Sequence, residues 1–398
     1  MNLNVNLDSL MQKVPQTYRV LISAGESSGD LHAAAVIREL KAQTLDGVTL
    51  EIAGIAGPLM QEAGCKPIRD MSELNVMGFG DVIKALPRIK GVEKDILRFA
   101  AEFKPDVVIL TDFTSFHLGL GRKLRAQGLF VTHYIAPKLW AWGAKRITKL
   151  QQSQNRLACI FPFEEQWFSE RGIQDVTYVG NPSAYACQGG WSKAELKKRL
   201  GLAEDTPLLA LLPGSRPSEL KQHVQLLADT FVRLQKQKPE LQAVATLAPS
   251  VKPEALKPLT DVGVMLLERT EDNYALRADA AIAVSGTATL ELALWDTPTV
   301  LVYKTSAFSW FIGQRLIKGR CVGLANILLL GDAPSSQGIV PELLQHDATI
   351  EHIEKAVMPL LCGTSQNQRQ AFANLRTLLG TNNPAEKLAA LCWQEMLK

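Results

Sequence analysis

Short, nearly unbroken apolar runs punctuate the whole chain, separated by segments long enough for a helix. In the first half they are Arg19 to Ala24, Leu50 to Ile55, Asp106 to Thr111, Phe130 to Ile135 and Leu157 to Phe161. In the second they are Leu208 to Leu212, Ala243 to Leu247, Val264 to Leu267, Ala280 to Val284 and Thr299 to Val302. A half-exposed strand would alternate polar and apolar residues. These runs are apolar at successive positions, as in parallel sheets covered by helices on both faces. The pattern predicts an α/β chain of two Rossmann-like domains. Ligands of open α/β sheets lie beyond the carboxyl ends of the strands, so two facing domains would place a substrate cleft between them.

The length of 398 residues supports that division, because one core rarely grows so large. The boundary is expected near Gly180-Asn-Pro-Ser183, giving a first domain over 1–183 and a second over 184–370. Gln188-Gly-Gly190 and the charged stretch Ser192 to Arg199 read as a linker and the first helix beyond it. The remainder, 371–398, reads as terminal helices, of which about Pro384 to Leu397 can dock back on the first domain or stay with the second.

Lys and Arg number 43 against 40 Asp and Glu, a formal charge of +3, which does not point to nucleic acid. The six cysteines are scattered without zinc spacing and suit small core positions in a reducing compartment. No metal and no cofactor is expected. Asn2, Asn4, Asn6 and Asp8 break the first segment, so it lacks the apolar stretch of a signal peptide, and no run is long enough to span a bilayer. A cytoplasmic protein is expected, able to touch a membrane surface.

Two turns in the second half stand out. Leu211-Leu-Pro-Gly-Ser-Arg216, with Glu219 three residues on, and Ser285-Gly-Thr-Ala-Thr-Leu-Glu291 each carry a strand through small residues into a helix. Such turns are ordinary helix caps, but main-chain N–H groups at a helix start also make an anion site, and two together suit a nucleoside diphosphate. Arg216 can fork onto phosphates, with Gly214 and Ser215 beside it and Ser285, Gly286 and Thr287 opposite. Glu291, one helical turn past Thr287, can accept hydrogen bonds from a ribose.

In the first half, Ser23-Ala-Gly-Glu-Ser-Ser-Gly-Asp30 follows the first strand. Its glycines do not fit the dinucleotide fingerprint, but Ser27 and Ser28 allow close approach while Glu26, Asp30 and His32 supply titratable groups. Asp112 ends the third strong strand, where a carboxylate can act as a general base. His117 stands nearby as a second candidate. Tyr134-Ile-Ala-Pro-Lys-Leu-Trp-Ala-Trp142 brings Trp140 and Trp142 to the next loop, suited either to a glycolipid or to packing.

Together these segments resemble the lipid-A-disaccharide synthases, from about Tyr18 to the last helix. The resemblance also rests on Gly54-Ile-Ala-Gly-Pro58, Val76-Met-Gly-Phe-Gly80, Phe161-Pro-Phe-Glu164, Val179-Gly180 and Val340-Pro-Glu-Leu343. It implies a GT-B architecture and metal-independent, inverting transfer. A UDP-2,3-diacylglucosamine would be the donor, a 2,3-diacylglucosamine 1-phosphate the acceptor, and a lipid A disaccharide 1-phosphate and UDP the products. Carried over by motif, Arg216, Ser285, Gly286, Thr287, Glu291 and Asn326 would hold the nucleotide, with Asp112 as base. The resemblance is also compatible with a homodimer, which no residue demonstrates.

The chain departs from the family in one cluster. Where relatives follow the Asp with Ala-Pro-Asp-Phe-Asn, this chain reads Phe113-Thr-Ser-Phe-His117, and the usual Val-Gly-His-Pro reads Val179-Gly-Asn-Pro182. Donor binding is therefore expected to be conventional, and the acceptor side is where a change would fall. A UDP-sugar 2-epimerase, or a paralogue that binds UDP-sugar with another acceptor or without turnover, are the alternatives. Acylated substrates also call for an apolar surface. Met77, Phe79, Val82, Ile83, Leu86 and Ile89, set among Lys84, Arg88, Lys90 and Lys94, suit peripheral contact with the inner membrane, and Phe308-Ser-Trp-Phe-Ile312 is a second candidate.

Overall fold

The apolar runs form strands, since a parallel sheet covered by helices buries successive residues of each strand on both faces. The computed structural model describes residues 16–74, 79–140, 143–248, 251–268, 276–284, 286–305, 310, 321–330 and 338–398, with only the main chain described at 79–84, 144 and 287. In the first half the strands are β1 (Thr17–Ala24), β2 (Thr49–Ala56), β3 (Lys66–Asp70), β4 (Val107–Thr111), β5 (Val131–Tyr134), β6 (Arg156–Cys159) and β7 (Asp175–Tyr178). In the second they are β8 (Leu208–Leu212), β9 (Gln242–Leu247), β10 (Met265–Glu268), β11 (Ala280–Ala283), β12 (Thr299–Tyr303) and β13 (Glu342–Leu344).

Among the described residues, one sheet runs β3-β2-β1-β4-β5-β6-β7 and the other β10-β9-β8-β11-β12-β13, and every pairing is parallel. Three strands escape the apolar pattern, and all three lie at sheet edges: β3 and β7 in the first sheet, β13 in the second. An edge strand is covered less, and none of these three has a fully buried position. The central strands β4, β8 and β11 are buried throughout.

Each sheet has one switch point, where successive connections leave in opposite directions. It falls between β1 and β4 in the first sheet and between β8 and β11 in the second. Loops leaving a switch point diverge and open a crevice at the carboxyl ends.

The chain divides into two compact units, Met1–Pro182 with Asn382–Lys398, and Ser183–Thr381. The core of the first unit joins Val20, Ile22, Val107 and Ile109 to Leu388 and Cys392 of the last helix, Pro384–Met396. Asn383 caps that helix by accepting from the Ala385 and Glu386 N–H groups, and Trp393 packs edge-on against Tyr18 while its indole N–H donates to the Leu40 carbonyl at 3.1 Å. Burying such side chains contributes about 1.5–3 kcal/mol each.

The boundary expected at 371 falls inside the helix Gln366–Leu379, which lies in the second unit. There Gln368 exchanges two hydrogen bonds with the Thr299 main chain, at 2.8 and 3.1 Å, and Phe372 is fully buried. Only Asn382–Lys398 returns to the first unit. Among the described residues no helix is long and apolar enough to cross a membrane.

Candidate functional site

At the switch point of the first unit, β1 ends in Gly25, Glu26, Ser27 and Ser28. Gly25 lies under Phe113, and a Cβ there would stand 2.3 Å from the Phe113 ring, so only glycine lets the two loops meet. Glu26 is the N-cap residue of the helix Ser27–Ala42, and Glu26, Ser27 and Ser28 are all exposed at its start. Asp30 is placed elsewhere. Its carboxylate accepts from the Leu59 and Met60 N–H groups, both at 3.0 Å, and so caps the neighbouring helix Pro58–Glu62. At 3% exposure it serves that cap. His32 packs edge-on against Tyr134, and burial pushes its pKa down to about 4.

Across the switch point, Asp112 leaves β4 with φ +50 and Phe113 follows at +49. Ile135, leaving the adjacent β5, has φ +68. Left-handed conformations cost a non-glycine residue about 1–3 kcal/mol and persist only where the surroundings enforce them. The enforcing contacts are visible. The Asp112 N–H donates to the Tyr134 carbonyl at 2.9 Å, and the Phe113 N–H donates to Asp112 Oδ1 at 2.8 Å. From behind, His117 Nδ1 lies 2.6 Å from the Asp112 carbonyl, and its Nε2 lies 2.9 Å from Ser23 Oγ.

A carbonyl can only accept, so Nδ1 carries the proton and Nε2 accepts from the Ser23 hydroxyl. His117 is fully buried, and desolvation pushes its pKa down to about 4. It therefore stays neutral and ties Asp112 to β1. Both ring nitrogens of His117, expected as a second acid–base candidate, are engaged inside the protein. Burial also raises the Asp112 pKa, against the opposing pull of the Phe113 N–H and the Lys138 ammonium. A carboxylate so placed is a better base near neutral pH.

Trp140 follows β5, but its indole N–H donates to Glu164 Oε1 at 2.9 Å and its ring packs edge-on to Phe161 and Phe163. Glu164 Oε2 accepts from the Ile160 and Phe161 N–H groups, and burial raises its pKa to about 7. Trp140 is thus held as a packing residue on its indole N–H edge. Met77 and Trp142 lie outside the described residues, as does all of Phe308 to Ile312 except Trp310. Phe79, Val82 and Ile83 fall in the helix Phe79–Phe103, their side chains outside the description. Leu86 on that helix is 43% exposed, whereas Ile89 packs on the core.

In the second unit the strands that lead into the two small-residue turns, β8 and β11, are hydrogen-bonded neighbours, and the Val284 N–H donates to the Leu212 carbonyl. Gly214 has φ +96, and a Cβ there would lie 2.6 Å from Glu219 Oε2. That oxygen accepts from the Ser215 and Arg216 N–H groups at 3.1 and 3.2 Å. The main-chain donors expected to hold a phosphate are therefore occupied by the chain's own carboxylate. Arg216 Nη1 donates to Glu219 Oε1 at 3.3 Å, yet its side chain is 74% exposed.

The helix Gly286–Leu294 begins at the second turn, with Glu291 7% exposed on it; Ser285 and the Thr287 side chain lie outside the described residues. Asn326, expected to touch the nucleotide, is fully buried: its amide donates to the Val340 carbonyl and Glu342, and its oxygen accepts from the Val340 N–H. It pins the strand β13 to the helix Leu324–Leu330. A residue the sequence reading passed over is His223, one turn after Glu219. It donates to the Glu219 carbonyl through Nδ1 and accepts from the Lys304 N–H at Nε2, both at 2.7 Å. Its i, i+4 spacing from Glu219 on one helix face is the only sign of it in the sequence.

The chain matches the family described as lipid-A-disaccharide synthetase over residues 20–395. The lipid-A-disaccharide synthase of Myxococcus xanthus (strain DK1622) is 35% identical over 376 residues, covering 93% of this chain and 96% of that protein. That of Serratia proteamaculans (strain 568) is 35% identical over 376 residues, covering 92% and 94%. Among solved structures, UDP-GlcNAc 2-epimerase from Neisseria meningitidis bound to UDP-GlcNAc has a TM-score of 0.60 at 14% identity, covering 95% of this chain and all (100%) of that one. Acinetobacter baumannii MurG has a TM-score of 0.56 at 15% identity, covering 96% and 100%. At such identity the structural likeness speaks for two Rossmann-like domains and not for a reaction.

Proposed function

The chain belongs to the lipid-A-disaccharide synthetase family, and on that premise we propose how its residues divide the reaction. It is a glycosyltransferase of lipid A biosynthesis, with a UDP-sugar and a lipid as substrates. In our reading UDP-2,3-diacylglucosamine is the donor and 2,3-diacylglucosamine 1-phosphate the acceptor. The second unit takes the donor and the first takes the acceptor. Asp112 removes the proton from an acceptor hydroxyl as that oxygen attacks the anomeric carbon. The bond from that carbon to the diphosphate breaks with inversion, and UDP leaves. Arg216 and the start of the helix Gly286–Leu294 stabilise the charge that develops on the diphosphate. Glu26, exposed across the switch point, orients the acceptor together with Ser27 and Ser28.

The observation that carries this reading is Asp112 itself, a carboxylate at the switch point with its pKa raised by burial and its main chain held left-handed from three sides. Asp112→Asn keeps the shape and removes the base. Disaccharide formation, followed by mass spectrometry, is expected to fall about a thousandfold while UDP affinity stays unchanged. Undiminished turnover would move the role to Glu26. An epimerase reading has only the shared fold behind it.

Both proposed substrates carry acyl chains, so we place the protein at the cytoplasmic face of the inner membrane. Leu86, exposed beside Arg88 and Lys90, supports that placement. Leu86→Asp is expected to weaken binding to anionic vesicles several-fold, from the lost apolar contact and the added like charge. Equal sedimentation of both proteins with vesicles would remove Leu86 from the contact.

A further inference from the structure

We infer that Glu219 is a fixed counter-anion of the donor loop, a positioning residue that weakens UDP binding more than UDP-sugar binding and so favours product release. The inference rests on the reading of the second unit as the donor unit.

Four observations lead to it. The Glu219 carboxylate already occupies the Ser215 and Arg216 N–H groups, the cradle in which a phosphate would otherwise lie. The loop is shaped for this occupant, since a Cβ on Gly214 would collide with Glu219 Oε2 and with Glu219 Cβ, at 2.6 and 2.8 Å. The carboxylate is anchored: its side chain is 7% exposed, and His223 ties the Glu219 carbonyl to the Lys304 N–H at the end of β12. Arg216, by contrast, is 74% exposed and holds Glu219 only at 3.3 Å. On meeting a diphosphate the guanidinium can swing to it, while the carboxylate stays.

The electrostatic consequence follows from charge alone. A phosphate bound by Arg216 sits within a few residues' reach of a fixed negative charge, at a partly exposed surface where such repulsion is reduced but not abolished. UDP carries about one negative charge more than the same diphosphate esterified to a sugar. Glu219 therefore repels the product more than the substrate. A residue with a purely structural role would change both affinities alike, so the ratio between them isolates the effect.

The test is Glu219→Gln in the full-length enzyme, measuring the inhibition constant of UDP and the KM of the UDP-diacylglucosamine donor. The amide oxygen can still accept from both N–H groups, and the charge is gone. UDP inhibition is expected to tighten about fivefold to tenfold, and donor KM to fall distinctly less. Glu219→Asp, which retains the charge, is expected to keep the wild-type ratio even where both affinities weaken. An unchanged ratio in Glu219→Gln would overturn the inference. So would loss of the fold in Glu219→Gln but not in Glu219→Asp, seen by circular dichroism, because the carboxylate would then serve the fold alone. Wild-type calorimetry with UDP separates the two levels: no UDP binding, or equal binding in Arg216→Ala, removes the donor-unit reading itself.

Discussion

The two switch points occupy the same place in two similar sheets and treat carboxylates in opposite ways. In the first unit Asp112 accepts one nearby N–H, remains partly exposed and has its pKa raised by burial. In the second, Glu219 accepts two N–H groups and an arginine. The second carboxylate is spent on holding its own loop, whereas desolvation with one close N–H donor leaves Asp112 a stronger base. The backbone differs in the same sense. The donor loop uses glycine for its left-handed residue, Gly214, while the first unit forces Asp112, Phe113 and Ile135 into that region and holds them there. One frame thus holds a carboxylate partly exposed to solvent at one switch point and folds a carboxylate into the loop at the other.

The sharpest way to break this comparison is to remove one group from each switch point. Asp112→Asn is expected to lower kcat about a thousandfold and leave donor KM alone. Arg216→Ala is expected to raise donor KM by roughly tenfold to a hundredfold, the worth of a charge-assisted hydrogen bond. Steady-state kinetics with both substrates varied would show it. If Asp112→Asn changed donor KM, or Arg216→Ala spared it, the division of labour would fall.

Much of this was legible in the amino-acid order, and the limits have physical causes. Central strands announce themselves because burial on both faces demands apolar residues in succession, as in Val107–Thr111. Lys66–Asp70 at a sheet edge meets no such demand and carries charge at three of its five positions. The loops at the switch points were readable from their small residues. Their internal bonds were not, because the partners are distant in sequence. His117 reads as a candidate base until Ser23, 94 residues away, is seen to hold its Nε2. Asn326 reads as a nucleotide contact, and its bonds to Val340 and Glu342 inside the unit are invisible in the sequence. Asp30 reads as part of the site until the helix it caps is known.

His117 offers the finest test of the comparison, since it supports the left-handed loop from behind. Asparagine is too short to span both the Asp112 carbonyl and Ser23, so His117→Asn is expected to lower kcat about tenfold with donor KM unchanged. Stability gives a readout of its own. Burial lowers the folded-state pKa of His117 from 6.5 to about 4, so between those values the unfolded chain binds a proton that the folded chain refuses. The stabilising contribution is complete above pH 6.5, declines as the pH falls, and levels off below about 4. Between pH 7 and pH 5 the loss amounts to about 2 kcal/mol from this residue. Buried His133, its pKa pushed down to about 3 by burial and by its nearness to His117, adds a loss of its own, of which the part due to burial remains in the variant. Urea unfolding at the two pH values should therefore show His117→Asn less stable at pH 7 and less sensitive to acid. An equal decline in both proteins would mean that His117 takes up its proton in place, and that the tie to Asp112 survives protonation.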